Sequence, residues 1–200
     1  MNPLEPKSED GHAEAAQPLM RFGTTLIVFL SLVWLVTVGG CRVREFQPTE
    51  YQIKAACLFN FAKFVEWPPA AFSGARSPIV IGILGKNPFH DDLARTIRNK
   101  TVDDHPLVIK EFRWPTEATN CHILFISASE KKRLQKTLGV LKGTSVLTVS
   151  ETAHFTETGG MINFVQQGTK IRFQINNEAA TRAGLKISSK LLSLAWQPGS

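Results

Sequence analysis

Several groups of residues in this chain are of types that do chemistry. Gly82-Ile83-Leu84-Gly85-Lys86 follows a strand-like run and precedes a helix-like one, the setting of a phosphate loop. Such a loop needs four residues between its glycines and Ser or Thr after the Lys. Here two residues separate the glycines and Asn87 follows, so a plain strand-to-helix turn is expected. His90-Asp91-Asp92 and Asp103-Asp104-His105 are of metal-ligand type. Adjacent residues rarely converge on one ion, and no H-E-x-x-H supplies a helical pair, so caps and surface charge fit better. Ser127 and Ser129 follow an apolar run, near where α/β enzymes carry nucleophiles, with His154 further on. No G-x-S-x-G surrounds them and no third group orients the His. No motif for a nucleotide or other cofactor occurs, and the reading is of a non-enzyme.

Three cysteines occur, at 41, 57 and 121. In an oxidising compartment Cys57 and Cys121 are candidates for a bridge, which would stabilise by about 4 kcal/mol in the chain-entropy model. Spacing alone does not show that their Cα atoms come within reach. Lys170, Arg172 and Arg182 are candidates for an anionic ligand or an acidic partner patch, against plain solvated charge.

The elements that would position these groups follow from periodicity. Thr49 and Gln52 form a capping-box pattern that opens a helix running to about Val65, ended by Trp67-Pro68-Pro69. That helix reads apolar nearly all round, which marks either deep burial or a covering partner. Ile53, Leu58, Phe61 and Val65 are therefore the expected interface for a partner or a homodimer. Strands are predicted at 77–84, 107–112, 122–126 and 146–149, and helices at 89–97 and 129–138. Residues 170–175 alternate strictly, pairing after a Gln167-Gly168 turn with the apolar run 161–165. A closing amphipathic helix carries Ala180, Ala183, Ile187, Leu191 and Leu194. The expected fold is a layered α/β/α domain, with a mostly parallel sheet, an antiparallel edge hairpin and a C-terminal helix.

At the front, residues 1–19 are polar and acidic. Read from Met20, Arg21 and the apolar run 24–38 make an export signal or a membrane anchor, ending at Gly39-Gly40-Cys41. Val38-Gly39-Gly40-Cys41 resembles a lipoprotein cleavage box, which makes Cys41 the lipidation candidate. Residues 1–41 are thus assigned to export and 42–200 to the exported domain. The whole chain has formal charge +6. Removing Lys7 and Arg21 with Glu5, Glu9, Asp10 and Glu14 leaves the remainder more basic still. The basic residues are scattered apart from Lys131, Lys132, Arg133 and Lys136. No aromatic-rich basic stripe of the nucleic-acid-binding kind occurs, so no nucleic-acid partner is expected.

Four blocks in order carry a resemblance: EYQIKAACLFNFAKFVEWP, IVIGILGKNPF, CHILFIS, and GGMINF followed by KIRFQIN and NEAATRAGLKISSKLLSLA. Together they resemble the YfiR family of periplasmic proteins over roughly residues 48–196. The resemblance implies a regulator that binds the periplasmic region of an inner-membrane diguanylate cyclase and restrains it, lowering cyclic-di-GMP. Better-known members carry more cysteines and more than one disulfide, and this chain departs from that pattern. Two rivals remain. One is a periplasmic small-ligand-binding protein, its ligand held at the carboxyl edge of the sheet. The other is an exported hydrolase.

Overall fold

The computed structural model describes residues 47–197. Helix α1 (Glu50–Phe64) runs into a short strand β1 (Val65–Glu66). Then come β2 (Ile79–Leu84), α2 (Asp92–Ile97), β3 (Thr101–Val102), β4 (His105–Phe112) and β5 (Ile123–Ile126). Next are α3 (Leu134–Leu141), β6 (Leu147–Ser150), β7 (Ile162–Gln167) and β8 (Lys170–Ile175). The described chain closes with α4 (Asn177–Arg182), β9 (Lys186–Ile187) and α5 (Ser189–Leu192).

Seven strands form one sheet in the order β3-β4-β2-β5-β6-β7-β8. The inner pairings, β4 with β2, β2 with β5, β5 with β6 and β6 with β7, are parallel. Antiparallel pairs finish both edges, β3 with β4 and β7 with β8. The fold is the α/β arrangement that the strand–helix alternation predicts. Its central strands are apolar at every position because both faces of the sheet are covered.

Alternation along the strands sorts the core into two layers. Ile81, Ile83, Ile123, Phe125, Leu147 and Val149 face one way, under α1, α2, α4 and α5. Val80, Leu84, Leu124 and Ile126 face the other way, under α3. Gly82 lies in mid-strand on that second face. A Cβ there would collide with the Phe112 ring and with Leu124, so the glycine serves close packing and not a phosphate.

Two tight turns explain sequence features that had chemical readings. Asp103 and Asp104 are the two residues between β3 and β4, both at positive φ, 47° and 64°. That is the geometry of a type I′ hairpin, which Asp tolerates better than most residues. At the other edge Gly168 has φ 60° and is the first of two loop residues joining β7 to β8, as a II′ turn demands.

The closing helix is not continuous. Gly184, at φ 74°, follows the end of α4, and the chain then runs extended through β9 before α5 begins. Lys186 and Ile187 pair antiparallel with Glu66 and Val65. Helical spacing over residues 180–194 hid this break. Its cause is a tertiary demand, the pairing of β9 with β1, met at a glycine that takes the left-handed turn without strain. Leu194, placed on the apolar stripe by spacing, is exposed.

Candidate interaction face on helix α1

Helix α1 starts where the sequence says it should. Thr49 Oγ1 accepts from the Gln52 amide at 3.3 Å, and Gln52 Oε1 accepts from the Thr49 amide at 3.1 Å. Its inward side buries Ala55, Leu58, Phe61, Ala62 and, just past its end, Val65. Phe61 lies stacked on Phe164, centroids 5.8 Å apart, and edge-on to Phe173 at 5.3 Å. Lys54 also points inward and is 3 % exposed. Its ammonium pairs with Glu50 and with Glu151, which follows β6, and lies 4.8 Å from the centroid of the Tyr51 ring. Tyr51 in turn donates to Glu151. Burial works against the charge on Lys54. The hydrogen bonds to Glu151 and Glu50, together with their charges, outweigh it and raise the ammonium pKa. Lys54 therefore remains a cation that fastens α1 to the sheet.

The outward side is different in kind. Ala56, Asn60 and Lys63 are exposed, with Ile53, Cys57, Phe59 and Phe64 half-buried along its flanks. Three ammonium groups from three places in the chain gather over two of these rings. Lys63 lies 5.7 Å from the Phe59 centroid and 5.8 Å from that of Phe64. Lys100, just after α2, lies 4.3 Å from Phe59, and Lys190 of α5 lies 5.4 Å from Phe64. Such contacts hold a cation with about 0.5–1 kcal/mol each at an exposed site. Among the described residues, none of these three lysines forms an ion pair. The result is an apolar strip flanked by uncompensated positive charge.

Residues 51–196 match the YfiR/HmsC-like family. The chain belongs to that family. Members of it are periplasmic, act with membrane diguanylate cyclases, and are regulatory proteins rather than catalysts.

Within this YfiR/HmsC-like domain the expected interface is corrected residue by residue. Leu58, Phe61 and Val65 are core, at 0 %, 1 % and 5 % exposure, and are not available to a partner. Of the four named from the sequence, only Ile53 is half-exposed. Asn60 and Lys63, the polar interruptions in an apolar helix, were the legible signal for the outward side. Lys54 obscured it, because a buried Lys looks in sequence like an exposed one.

The bridge between Cys57 and Cys121 is not formed, and both thiols are free. Cys57 packs against the layer under α1, and Cys121 lies in the layer under α3, so the sheet stands between them. Burial pushes the Cys57 thiol up to about 11 and the Cys121 thiol up to about 12, so both stay protonated and inert. Lys170 and Arg172 are exposed on edge strand β8, while Arg182 is held on α4 by an ion pair with Glu178. Residues 1–41, including Cys41, lie outside the described residues, and no described helix is long and apolar enough to cross a membrane.

At the carboxyl edge, expected to hold a ligand if this were a solute-binding protein, the segments following β2 and β5 are hydrogen-bonded to each other at the switch point. The Lys86 amide donates to Ser129 Oγ at 3.0 Å, and the Ser127 amide to the Leu84 carbonyl at 3.0 Å. A Cβ on Gly85 would meet Ser129 and Glu130, and Gly85 has φ 88°. Ser127 and Ser129 thus have a structural task. His154 is far along the chain in an exposed pair with Glu157. Beside this seam, a recess lined in part by Glu111, Arg113, Glu130 and Arg133 has its Glu130 and Arg133 paired at 2.8 Å.

Sequence reasoning also missed the histidine cluster at the opposite, amino edge. His122, just before β5, is 4 % exposed. Its Nδ1 accepts from the Val80 amide at 3.1 Å, which assigns the ring proton to Nε2. Phe72 lies against it at 4.7 Å and stacks on His105 at 4.4 Å. Burial, and then the neighbouring His105, lower the His122 pKa, with the Ala71 carbonyl pulling the other way. Above pH 7 the imidazole is neutral in folded and unfolded chains alike. Below the ordinary value of 6.5 the unfolded ring takes a proton that the folded ring refuses. Stability should therefore fall as the pH drops from about 6.5 toward the lowered folded value. Thermal melts between pH 7.5 and 5 should show a shallower decline for His122→Asn. An equal decline in both proteins would assign the acid sensitivity elsewhere.

Proposed function

We propose that this chain is a periplasmic regulator that binds the periplasmic sensor region of an inner-membrane diguanylate cyclase and holds it inactive, lowering cyclic-di-GMP. The observation that carries the reading, beyond family membership, is the strip on α1. Phe59 and Phe64 provide apolar area, and Lys63, Lys100 and Lys190 provide unpaired charge. An acidic, apolar-centred surface on the cyclase is the complement. Inhibition then requires that the regulator bind the off state more tightly than the on state, since equal affinity shifts nothing. The basic surface supports encounter as well as affinity, because charge complementarity raises association rates. A second copy of the chain is the other partner in this reading, and acylation at Cys41 would keep the regulator beside the membrane.

Charge reversal tests it. The double variant Lys63→Glu, Lys100→Glu should retain its fold. It should bind a membrane-derived cyclase about tenfold more weakly or worse, with a steeper loss at high salt in the parent than in the variant. In cells lacking the native copy, the parent should lower cyclic-di-GMP and the variant should not. Full repression by the variant would remove this face from the mechanism. Failure of the parent to repress any cyclase, or to capture one from membranes, would overturn the regulatory reading itself.

A further inference from the structure

Two features of the sheet's carboxyl edge belong neither to the core nor to the α1 strip. The first is Trp114, just past β4. It is 52 % exposed, one of two large apolar side chains left in water among the described residues. The second is a basic cluster on the turn after β5 and the start of α3: Lys131, Lys132, Arg133 and Lys136, all exposed. The fold joins the two. The Arg133 guanidinium lies 5.8 Å from the centroid of the Trp114 ring. Arg113 lines the same recess as Arg133, and exposed Lys86, just past β2, has its amide on Ser129 at the start of that turn. The ends of β2, β4 and β5 thus deliver six cations around one indole.

Little in the chain compensates this charge. Among the described residues, Lys86, Arg113, Lys131, Lys132 and Lys136 form no ion pair, and Arg133 pairs with Glu130 at 2.8 Å. The two other carboxylates close by are committed elsewhere. Glu111 accepts from the Asn87 side chain at 2.7 Å, and Glu117 accepts from the Arg113 and Trp114 amides at 3.0 Å and 3.1 Å. The acidic residues at the starts of α1 and α2, Glu50, Asp91 and Asp92, belong to the layer on the other face of the sheet. Lys132 and Lys136 stand about one helical turn apart, where like charges repel. An anionic surface relieves that repulsion, and clustered basic side chains are drawn to anionic lipid. An exposed indole suits the same surface, since its apolar body and polar N–H match the headgroup boundary.

The described chain also begins at this edge. Lys54, in the first turns of α1, pairs with Glu151 just past β6, and Gln52 Nε2 donates to Asp92 Oδ1 at 3.2 Å. Where acylation at Cys41 holds the chain, residues 42–46 let this edge stand no further than about 20 Å from the lipid. That tether rests on the export reading above; the charge and the exposed indole do not.

We propose that the carboxyl edge around Trp114 docks on an anionic phospholipid bilayer. The indole sits at headgroup depth, and Lys86, Arg113, Lys131, Lys132 and Lys136 lie over the phosphates. Helix α1 runs from this edge to the amino edge, where Trp67 Nε1 donates to the His122 carbonyl at 3.1 Å. Docked this way, α1 stands up from the lipid and its outward strip stays open to a second protein.

The test uses residues 42–200, which contain every residue of both core layers and carry neither the apolar leader nor Cys41. At low salt this chain should bind vesicles of phosphatidylglycerol and phosphatidylethanolamine in equal parts. Binding should be at least tenfold tighter than to vesicles with phosphatidylcholine in place of phosphatidylglycerol, and should fade at high salt. The double variant Lys132→Gln, Lys136→Gln should weaken it at least tenfold. The charge-matched pair Lys170→Gln, Arg172→Gln, on edge strand β8, should change it less than twofold. Tryptophan emission should shift to the blue on the anionic vesicles in the parent and not in Trp114→Phe. No binding, equal binding to the neutral vesicles, an equal loss in the β8 pair, or a blue shift that survives Trp114→Phe overturns the proposal. These variants leave the α1 strip intact, so vesicle binding can fail while cyclase capture succeeds, and the reverse.

Discussion

Phe61→Ala should lower stability by about 3–5 kcal/mol, the usual cost of emptying a buried aromatic site. In a domain of this size that corresponds to a fall in Tm on the order of 10 °C. The ring is 1 % exposed and touches Phe164 and Phe173 across the helix–sheet boundary. Neither neighbour can follow it inward, because both are tied into the β7–β8 ladder, where Phe164 and Phe173 are directly paired. The cavity therefore stays open, and the cavity term adds to the lost transfer energy. Phe59→Ala, two residues earlier, should cost about 1 kcal/mol or less, since its ring is half-buried under Lys63 and Lys100. Chemical denaturation of the two variants side by side decides the matter. Equal stabilities would mean that the inward and outward sides of α1 have been exchanged, and with them the core and the proposed interface.

Lys54→Met should cost about 3 kcal/mol, and its mechanism is the opposite of a cavity. The thioether fills much of the space that the lysine stem occupied. What it cannot do is neutralise Glu151, whose side chain is only 15 % exposed and keeps Tyr51 as its neutral partner. Removing one member of a buried pair leaves the other charge unsolvated, and that loss is larger than what the intact pair contributes. Glu50 matters less, because its carboxylate is 41 % exposed and water can replace the lysine there. The double variant Lys54→Met, Glu151→Gln should regain a large part of the loss, since it removes the stranded charge. Equilibrium unfolding of the single and double variants measures this directly. A single variant as stable as the parent, or a double variant no better than the single, would sink the ion-pair account.

Both expectations concern a helix on which the sequence misled in a specific way. Its ends were legible: Thr49 and Gln52 form the capping box, and Trp67-Pro68-Pro69 follows its exit. Its sides were not. With Ile, Leu and Phe at almost every angle, no apolar stripe stands out. The only polar inward residue, Lys54, draws its stability from a carboxylate ninety-seven positions away. That pairing is invisible to periodicity, which reports only a residue's angle and polarity. The same limit explains Lys100 and Lys190, which join Lys63 on one face only after β2, α2 and the closing segment have been brought together.

The sequence by itself determined the α/β class, the unbroken apolar strands at the centre of the sheet, the edge hairpin at Gly168, and membership of a periplasmic regulatory family. Local spacing and turn chemistry suffice for the first three, because each depends on neighbours within a few residues, while the family was legible only as the resemblance of four sequence blocks in order. Tertiary structure alone decided three other matters. It put Cys57 and Cys121 in the two different core layers, with both thiols free. Pairing with β1 broke the closing helix at Gly184. A pocket at the amino edge was assembled from chain segments that precede three different strands. The physical reason is common to all three: burial, pairing and cavity shape are properties of contacts between distant segments. A linear pattern fixes which residues are able to make such contacts, and the packing of the layers selects which of them do.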